Sequence, residues 1–410
     1  MVNKLRFSRL ANYLTTGWFS ACSLTALVGL GSAVIPKSPA LADVPPVSTA
    51  TTPADLAIPR YDHIIVIIEE NKSYQQVINQ SFAPNTNNYA KQYGVAINYY
   101  GVVHPSEGNY VAMIGGSTFG IHDDDAYYCT PKSSDPNCGS DLDPTYVQPY
   151  VNHTINSRNL VDQLEDHGLT WKGYYENLPA GGYTTGAKIV NAGPNDPNTG
   201  RPVALYAAKH NGFINFADVQ NNQKRLANIV DFNQLDADLQ SGNLPNFSHI
   251  VPNQCNEMHG ASICPAGPSG TSAVTDPNLR AIVQAGDTQI GTLVNRITSS
   301  SFWSKGNNAI ILAWDEDNFV APFTQGCCGY DPTSPANFGG GLIPMVVITN
   351  NGPRGVKDQT PYNQYSLLRT VEDAFGIHEY LNLAGDTAGG VKPMTPLFRK
   401  TPWSSTTANH

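Results

Sequence analysis

The fold of this 410-residue chain is set by the segment His63-Ile64-Ile65-Val66-Ile67-Ile68-Glu69-Glu70-Asn71. Five consecutive β-branched residues follow His63, and two carboxylates and an amide come directly after them. A short, continuous apolar run bounded by polar residues is typical of a strand that is buried on both faces, as in a parallel sheet. We therefore expect a central strand whose carboxyl end carries acidic side chains.

Three further apolar runs resemble this one, at residues 247–251, 309–314 and 344–349. Helical patterns lie between the runs or after them. The first covers Leu160 to Leu164, with Ser157 as its expected cap and Gly168 as its stop. The others cover residues 279–297 and 365–375. Strands that alternate with helices predict an α/β fold, a three-layer sandwich around a mostly parallel central sheet.

The composition limits the classes of partner. Apolar residues make up 40% of the chain and charged residues 14%, so a large core is expected and general disorder is excluded. The formal net charge is -9, and no long basic run occurs. Nucleic acid is therefore not expected as a partner, and an anionic membrane surface would repel the chain.

The first residues have the pattern of an export signal. Lys4, Arg6 and Arg9 precede a mostly apolar stretch at 17–35, and Ala40-Leu41-Ala42 fits a cleavage site. The alternative is one membrane anchor, because the apolar stretch approaches spanning length. We predict a signal peptide at 1–42 and a periplasmic or secreted protein without stable membrane insertion after cleavage. A flexible linker at 43–59, one domain at 60–400 and a tail at 401–410 would complete the chain.

Cysteine usage agrees with export. Six cysteines lie beyond the predicted signal peptide, and an even number in an exported protein suggests disulfides. The simplest short-range pairings join Cys129 to Cys138 and Cys255 to Cys264. The adjacent residues Cys327 and Cys328 remain open, because a bond between neighbours is strained.

Acidic groups follow two of the predicted strands. Glu69 and Glu70 end the first strand, and Asp315 and Glu316 follow the run at 309–314. In an open parallel sheet, the carboxyl ends of the strands meet where ligands bind. Carboxylate oxygens suit divalent cations, and carboxylates mixed with histidine suit zinc or manganese. The alternative for each acidic end alone is a helix cap or a solvated turn.

Two other segments carry candidate site residues. Glu257 and His259 follow the weaker strand at 247–251, and both are able to face one cation from a loop, although a lone histidine is more often an ordinary hydrogen-bonded one. Ser106 lies where a loop enters a helix predicted over 109–114. A helix start favours an anion such as a phosphoryl group, and the alternative for Ser106 is a simple N-cap.

Five segments in order resemble the phosphoesterase family of bacterial phospholipases C and acid phosphatases, in its shorter, acid-phosphatase-like branch. They are ENKSY at 70–74, HPSEGNYVAMIGG at 104–116, PNQCNEMH at 252–259, DE at 315–316 and the helix at 365–376. The similarity spans residues 61 to about 377. It implies an alkaline-phosphatase-like fold.

The resemblance also implies roles for the nucleophile and its neighbours. Ser106 takes the nucleophile position and would form a phosphoserine intermediate. Asn109 would donate a hydrogen bond to a phosphoryl oxygen. Asn71 would be a polar residue at or behind the site, and His104 would act as an acid near the site or brace its loop.

The cofactor implied is one or two divalent metal ions, with Zn, Mn, Ca and Mg all open. Glu70, Asp315 and Glu316 would hold one ion, and Glu257 and His259 would belong to a second ion or to the leaving-group side. Two departures from the family pattern put the second ion in doubt. Gln364 stands where members often have histidine, and Glu257 stands where many have aspartate.

These features together predict an exported, metal-dependent phosphoesterase that acts on a small phosphorylated substrate. Hydrolysis of phosphate monoesters is the main expectation. The alternatives are a phosphodiesterase of the phospholipase C type and a non-catalytic surface protein with a vestigial site.

Overall fold

A computed structural model describes residues 57–130, 138, 151–179, 183–268, 273–319, 325–334 and 338–400. The predicted signal peptide, most of the predicted linker and the predicted C-terminal tail lie outside these residues. In the described part of the chain, no helix combines the length and the apolar character needed to cross a membrane.

The strands, in chain order, are β1 (His63–Glu69), β2 (Gly94–Ala96), β3 (Tyr99–Tyr100), β4 (Trp171–Tyr175), β5 (Ile229–Asp231), β6 (Phe247–Val251), β7 (Asn308–Trp314), β8 (Leu342–Ile343), β9 (Met345–Thr349), β10 (Val356–Asp358) and β11 (Tyr362–Asn363). The α-helices are α1 (Tyr74–Val77), α2 (Pro84–Gln92), α3 (Glu107–Gly115), α4 (Leu160–Asp166), α5 (Ala217–Gln220), α6 (Gln223–Leu226), α7 (Phe232–Ser241), α8 (Pro277–Ser299), α9 (Gln364–Ala374) and α10 (Thr395–Phe398). Short 3₁₀ helices cover Ala208–His210, Gly212–Asn215 and Asn382–Gly385.

The described strands form a large sheet in the order β10-β2-β9-β7-β1-β6-β4-β5 and a small one in the order β11-β3-β8. In the large sheet, β1 lies between β6 and β7 and is parallel to both. Strands β4 and β5 continue the parallel part on one side. The predicted α/β architecture with a mostly parallel sheet is therefore confirmed.

One strand runs against the expectation of a parallel core. The apolar run at 344–349 forms β9, which is antiparallel to both β7 and β2. A parallel pair needs a long crossover, usually a helix. The described residues between β7 and β9 contain no helix, so β9 returns beside β7 in the opposite direction.

The centre of the sheet is buried on both faces. Every residue of β6, β7 and β9 is buried, as are six of the seven residues of β1. Because successive side chains of a strand point to opposite faces, helices must cover both sides of these strands. This burial gives the three layers that the sequence predicts.

The helix predicted over Leu160 to Leu164 is capped by a different residue from the one expected. Asn159, rather than Ser157, is the N-cap of α4, and its side chain accepts a hydrogen bond of 2.9 Å from the Val161 amide. Asp162 completes the cap by accepting from the Asn159 amide at 3.0 Å. This reciprocal pairing satisfies two free amides at once, which explains why the chain turns at Asn159.

Three disulfides are present among the described residues. They join Cys129 to Cys138, Cys255 to Cys264, and the adjacent pair Cys327 and Cys328. The bond from Cys255 to Cys264 closes the loop that carries Glu257 and His259.

Candidate active site

The register of β1 and β7 creates the site. Glu69 lies opposite Trp314, so the residues that follow, Glu70 and Asp315, emerge side by side at the carboxyl edge of the sheet. Glu69 points elsewhere, because a Cβ on Gly286 of α8 would lie 2.9 Å from its carboxylate. Strand alternation therefore separates the two adjacent glutamates, with Glu70 facing the site and Glu69 facing α8.

Ser106 lies between two carboxylates from these strand ends. Its hydroxyl oxygen is 3.2 Å from Glu70 Oε2 and 3.3 Å from Glu316 Oε1. The serine is fully buried and immediately precedes α3, which begins at Glu107 and ends at Gly115. The side chain makes no capping bond to its own helix, so the hydroxyl is directed at the two carboxylates.

Two amides hold the neighbouring Asp315. The backbone N–H of Asn71 donates to Asp315 Oδ1 at 3.0 Å. Gln364 donates to the Asp315 carbonyl at 2.7 Å. Gln364 thus positions the backbone of a candidate ligand. The Asn71 side chain donates to Glu70 Oε2 at 2.9 Å.

His104 lies behind Glu316. Its Nδ1 is 2.6 Å from Glu316 Oε2, and its Nε2 is 3.3 Å from Asp317. Burial alone would lower the pKa of His104, but the charges and hydrogen bonds of Glu316 and Asp317 together outweigh burial and raise the pKa to about 10. The imidazolium stacks on Phe319, with ring centroids 4.1 Å apart. His104 is therefore suited to hold Glu316 in place.

Asn109 lies three residues after Ser106 and braces the loop before it. Its Oδ1 accepts from the amides of Val102 and Val103 at 2.9 and 3.1 Å, and its Nδ2 donates to the Val103 carbonyl at 2.7 Å. An amide nitrogen carries two hydrogens, and the Val103 carbonyl uses one of them.

His210 links the two halves of the site. Its Nε2 is 3.0 Å from Glu70 Oε1, and its Nδ1 is 3.1 Å from Glu257 Oε1. The ring stacks on Tyr110, with centroids 5.1 Å apart, and the Tyr110 hydroxyl donates to Glu70 Oε1 at 2.9 Å. His210 therefore brings Glu257 into one network with Glu70.

His259 lies beside this network. Its ring centroid is 6.0 Å from that of His210. Its Nδ1 is 2.8 Å from the Gly260 carbonyl, so this nitrogen carries the proton and Nε2 is left as an acceptor or ligand. Burial, together with the charge of Lys209, lowers the pKa of His259 well below its ordinary value. The ring is consequently neutral, as a metal ligand must be.

The electrostatics of the site favour a bound cation. Burial raises the pKa of Glu70, Glu316 and Glu257 to about 7 each, and burial and the nearby Glu70 raise that of Asp315 further. Asp315 Oδ2 has no hydrogen-bond partner among the described residues. Crowded, buried carboxylates with an unpaired oxygen are the donor set that a divalent cation neutralises, so the residues fit such an ion.

A second cluster includes Glu107, the first residue of α3. Glu107, Asp123 and His153 each place one ligand atom within 4.8 Å of the others, and all three are buried. His153 bridges the two carboxylates at 3.1 Å each. Burial would lower the pKa of His153, but Glu107 and Asp123 together raise it to about 12. A metal ligand must be a neutral imidazole, so a metal at the triad would require the proton of His153 to leave.

The structure brings most of the predicted site residues together. Ser106, Glu70 and Glu316 are in direct contact, and Asp315, Asn71 and His104 lie one contact further out. Glu257 and His259 lie apart from Ser106, and His210 connects them to Glu70. Sequence reasoning missed Lys209 and His210, because a Lys-His pair in an irregular segment gives only a faint signal. It also assigned no role to Tyr110, although Tyr110 lies in the quoted segment at 104–116.

Residues 78–378 match the Phosphoesterase family. The match covers most of the chain, so the chain belongs to this family, and the resemblance drawn from its motifs is confirmed.

Two relatives illustrate the similarity within the family. The chain is 29% identical over 235 residues to a probable acid phosphatase of Kluyveromyces lactis. This alignment covers 56% of this chain and 47% of the Kluyveromyces lactis protein. It is 27% identical over 322 residues to a phosphatidylinositol-3-phosphatase of Mycobacterium tuberculosis. This alignment covers 78% of this chain and 79% of the Mycobacterium tuberculosis protein. The chain thus spans about half the length of the Kluyveromyces lactis protein.

Solved structures of similar fold are more distant. A protein in the alkaline phosphatase superfamily from Vibrio parahaemolyticus is 14% identical with a TM-score of 0.44, covering 79% of this chain and 71% of that one. The C-terminal periplasmic domain of EcEptC from Escherichia coli, in complex with Zn, is 12% identical with a TM-score of 0.41, covering 84% and 88%.

Proposed function

We propose that this protein is a metal-dependent phosphatase that hydrolyses phosphate monoesters through a phosphoserine intermediate on Ser106. The observation that carries the proposal is the position of the Ser106 hydroxyl, at the start of α3 and within 3.3 Å of both Glu70 and Glu316. Membership of the Phosphoesterase family supports the reaction class. The domain at 60–400 would carry the whole reaction.

The reaction would proceed in two displacements. The serine gives up its proton to water, Ser106 Oγ attacks phosphorus, and the bond from phosphorus to the ester oxygen breaks, so that the leaving group departs as the alcohol after taking a proton from water. Water then attacks the phosphoserine, and the bond to Ser106 Oγ breaks to release phosphate. The second amide hydrogen of Asn109 and the start of α3 stabilise the charge on the phosphoryl oxygens.

Glu70, Asp315 and Glu316 would hold the metal ion. A divalent cation bound there would lower the pKa of the serine hydroxyl and neutralise phosphoryl oxygens. Glu257 and His259 lie on the side where a second ion or the leaving group would be. Asn71 would orient Glu70, and His104 would orient Glu316.

Export is the second part of the proposal. The described residues contain three disulfides, and such bonds persist in oxidising compartments. The signal-like pattern at residues 1–42 gives independent support. We infer a periplasmic or secreted enzyme, with a small phosphorylated molecule as its substrate.

The experiment compares wild type with Ser106→Ala on an aryl phosphate in the presence of divalent cations. We expect kcat to fall about 10³-fold or more, because the nucleophile is lost. Rapid acid quenching and peptide mass spectrometry should find a phosphoryl group on Ser106 in wild type alone. Ser157→Ala, on a loop before α4, is the matched control and should turn over normally. Full activity in Ser106→Ala would refute the proposal.

A further inference from the structure

A lysine-aspartate pair lies at the start of α3. The Lys209 ammonium is 2.7 Å from Asp124 Oδ2. The other oxygen of Asp124 accepts a hydrogen bond of 3.2 Å from the Glu107 amide, which is the first N–H after Ser106. One carboxylate therefore ties the ammonium to the backbone beside the proposed nucleophile.

The position of Lys209 in the chain directs it to the same space. It precedes His210 in the 3₁₀ helix, and His210 is 3.0 Å from Glu70. After burial, Lys209 is the strongest influence on the pKa of Glu70, which it lowers. Burial lowers the pKa of Lys209 itself, but Asp124, Glu70 and Glu316 together outweigh burial and keep the ammonium charged. Through Asp124 and the Glu107 amide, the ammonium is held at the start of α3, beside the residue that follows Ser106.

Exposure distinguishes Lys209 from the other lysine of the site. Lys72 is fully buried, and its ammonium donates to the Asn71 carbonyl at 2.9 Å. The Lys209 side chain is 17% exposed, and that of Asp124 is 27% exposed. An ammonium has three donors, and its ion pair with Asp124 uses one of them. Solvent therefore contacts the Lys209 side chain but not that of Lys72.

The charge of the substrate explains why a cation is needed near Ser106. A phosphate monoester carries a charge of about −1.5 to −2 at neutral pH, whereas a diester has one ionisable oxygen fewer. Carboxylates surround Ser106, and they repel the second negative charge. A compact ammonium that is already held in place offsets that repulsion without further ordering.

We propose that Lys209, positioned by Asp124, binds the phosphoryl group of the substrate and gives the site its preference for dianionic monoesters over diesters. This inference rests on the proposed phosphatase function and names its substrate class. Lys209 would touch the phosphoryl oxygens directly, and Asp124 would be a positioning residue.

The first test measures binding without turnover. Inorganic phosphate is titrated by calorimetry into metal-supplemented wild type, Lys209→Met, Lys209→Arg and Lys172→Met. Lys172 is the matched control, since it is a partly exposed lysine paired with Asp238 at 2.5 Å and lies toward the far end of β4. We expect Lys209→Met to bind phosphate about 10- to 100-fold more weakly, the usual range for one charged hydrogen bond, while Lys209→Arg retains part of the affinity. Equal affinity in Lys209→Met and wild type would overturn the inference.

The second test measures the preference between esters. The value of kcat/KM is compared for an aryl phosphate monoester and the matching methyl aryl diester. We expect Lys209→Met to lower kcat/KM for the monoester about 10- to 100-fold, and that for the diester less than about threefold. Equal losses on both esters would contradict a role in charge selection.

The two proposals fail in different ways. If wild type does not hydrolyse the monoester, the phosphatase function is wrong, and the calorimetric result still decides whether Lys209 binds phosphate. If wild type is an active phosphatase and Lys209→Met binds phosphate normally, only the inference about Lys209 is wrong. Melting temperatures of all variants should match wild type within a few degrees, so that loss of folding is excluded.

Discussion

At the scale of single residues, Glu70 is the most constrained side chain of the site. One oxygen lies 2.9 Å from the Tyr110 hydroxyl and 3.0 Å from His210 Nε2. The other oxygen lies 2.9 Å from Nδ2 of the Asn71 side chain and 3.2 Å from the Ser106 hydroxyl. A carboxylate whose two oxygens both meet donors has no freedom to rotate, so Glu70 is preorganised to face the serine.

A buried glutamate outside the site makes stability depend on pH. Glu372 of α9 is fully buried, and its Oε1 accepts from the Leu381 amide at 2.9 Å. Burial raises the pKa of Glu372 to about 8 against the opposing effect of the Leu381 bond. Between the unfolded pKa of about 4.3 and about 8, the folded state keeps a proton that the unfolded state has lost. The free energy of unfolding therefore falls as pH rises through this window.

We predict that Glu372→Gln removes this dependence. Glutamine is neutral at every pH and still accepts from the Leu381 amide. At pH 5 the variant should match wild type, and at pH 7.5 it should be more stable by roughly 1–3 kcal/mol. Urea unfolding at several pH values measures the difference, with the exposed Glu379→Gln as control. A constant difference between Glu372→Gln and wild type across this range would show that Glu372 does not titrate in this window.

How far sequence predicts such residues depends on their neighbours in the chain. Glu70 and Asp315 were predictable because each directly follows an apolar strand, and the parallel register of β1 and β7 brings them together. The helix start alone left Ser106 open as a simple N-cap, and only the family resemblance implied that it is a nucleophile. His210 was not predictable, because a 3₁₀ helix far from both carboxylates delivers it. Such pairing depends on the tertiary path of the chain, which no local pattern encodes.

At the scale of elements, α3 is the support of the site. All nine of its residues are buried, so the helix has no solvent face along which it can shift. Its last turn ends at Gly116, which has φ of +69° and receives the Leu383 amide on its carbonyl. The same helix thus carries Ser106 at one end and is anchored at the other.

A pair of glycines tests this anchor. Gly116 and Gly168 both have φ of +69°. A Cβ on Gly116 would overlap the Leu381 carbonyl, whereas a Cβ on Gly168 would meet nothing within 4 Å. We expect Gly168→Ala to cost about 1 kcal/mol for the left-handed backbone alone. Gly116→Ala should cost about 2–5 kcal/mol, because steric overlap adds to that strain.

Thermal unfolding of both variants measures the two costs. Gly116→Ala should also lower kcat, since a shift of α3 displaces Ser106, while Gly168→Ala should leave kcat unchanged. Equal destabilisation by the two substitutions would show that the contact with Leu381 relaxes without cost.

The boundaries of the helices and strands were predictable from the sequence to within about two residues. The antiparallel direction of β9 was not predictable, because strand burial alone does not specify direction.

At the scale of the whole molecule, the site concentrates negative charge that distant parts of the chain supply. Glu70 follows β1, Glu257 follows β6, and Asp315 and Glu316 follow β7. These strands are neighbours in the sheet, so folding itself forces the carboxylates together. A cation that binds only the folded chain removes this repulsion and stabilises the fold by mass action.

We predict that a divalent cation raises the melting temperature and that a chelator lowers it. At a free-ion concentration of about 100 times Kd, the stabilisation should be near 2.7 kcal/mol. Ser106→Ala keeps every carboxylate, so it should respond to the ion like wild type although it lacks turnover. Asp315→Asn loses a ligand and should respond weakly. Elemental analysis of dialysed protein measures the stoichiometry directly.

Two clusters compete for the ion, and one further variant separates them. Asp123→Asn alters the triad with Glu107 and His153 and leaves the carboxylates around Ser106 in place. If the site beside Ser106 binds the ion, Asp123→Asn should retain the response to chelator that Asp315→Asn loses. The reverse result would place the ion at the triad, where it would have to displace the proton of His153. Activity that persists in chelator without any bound metal would leave Ser106 to act with its carboxylates, Asn109 and Lys209 alone.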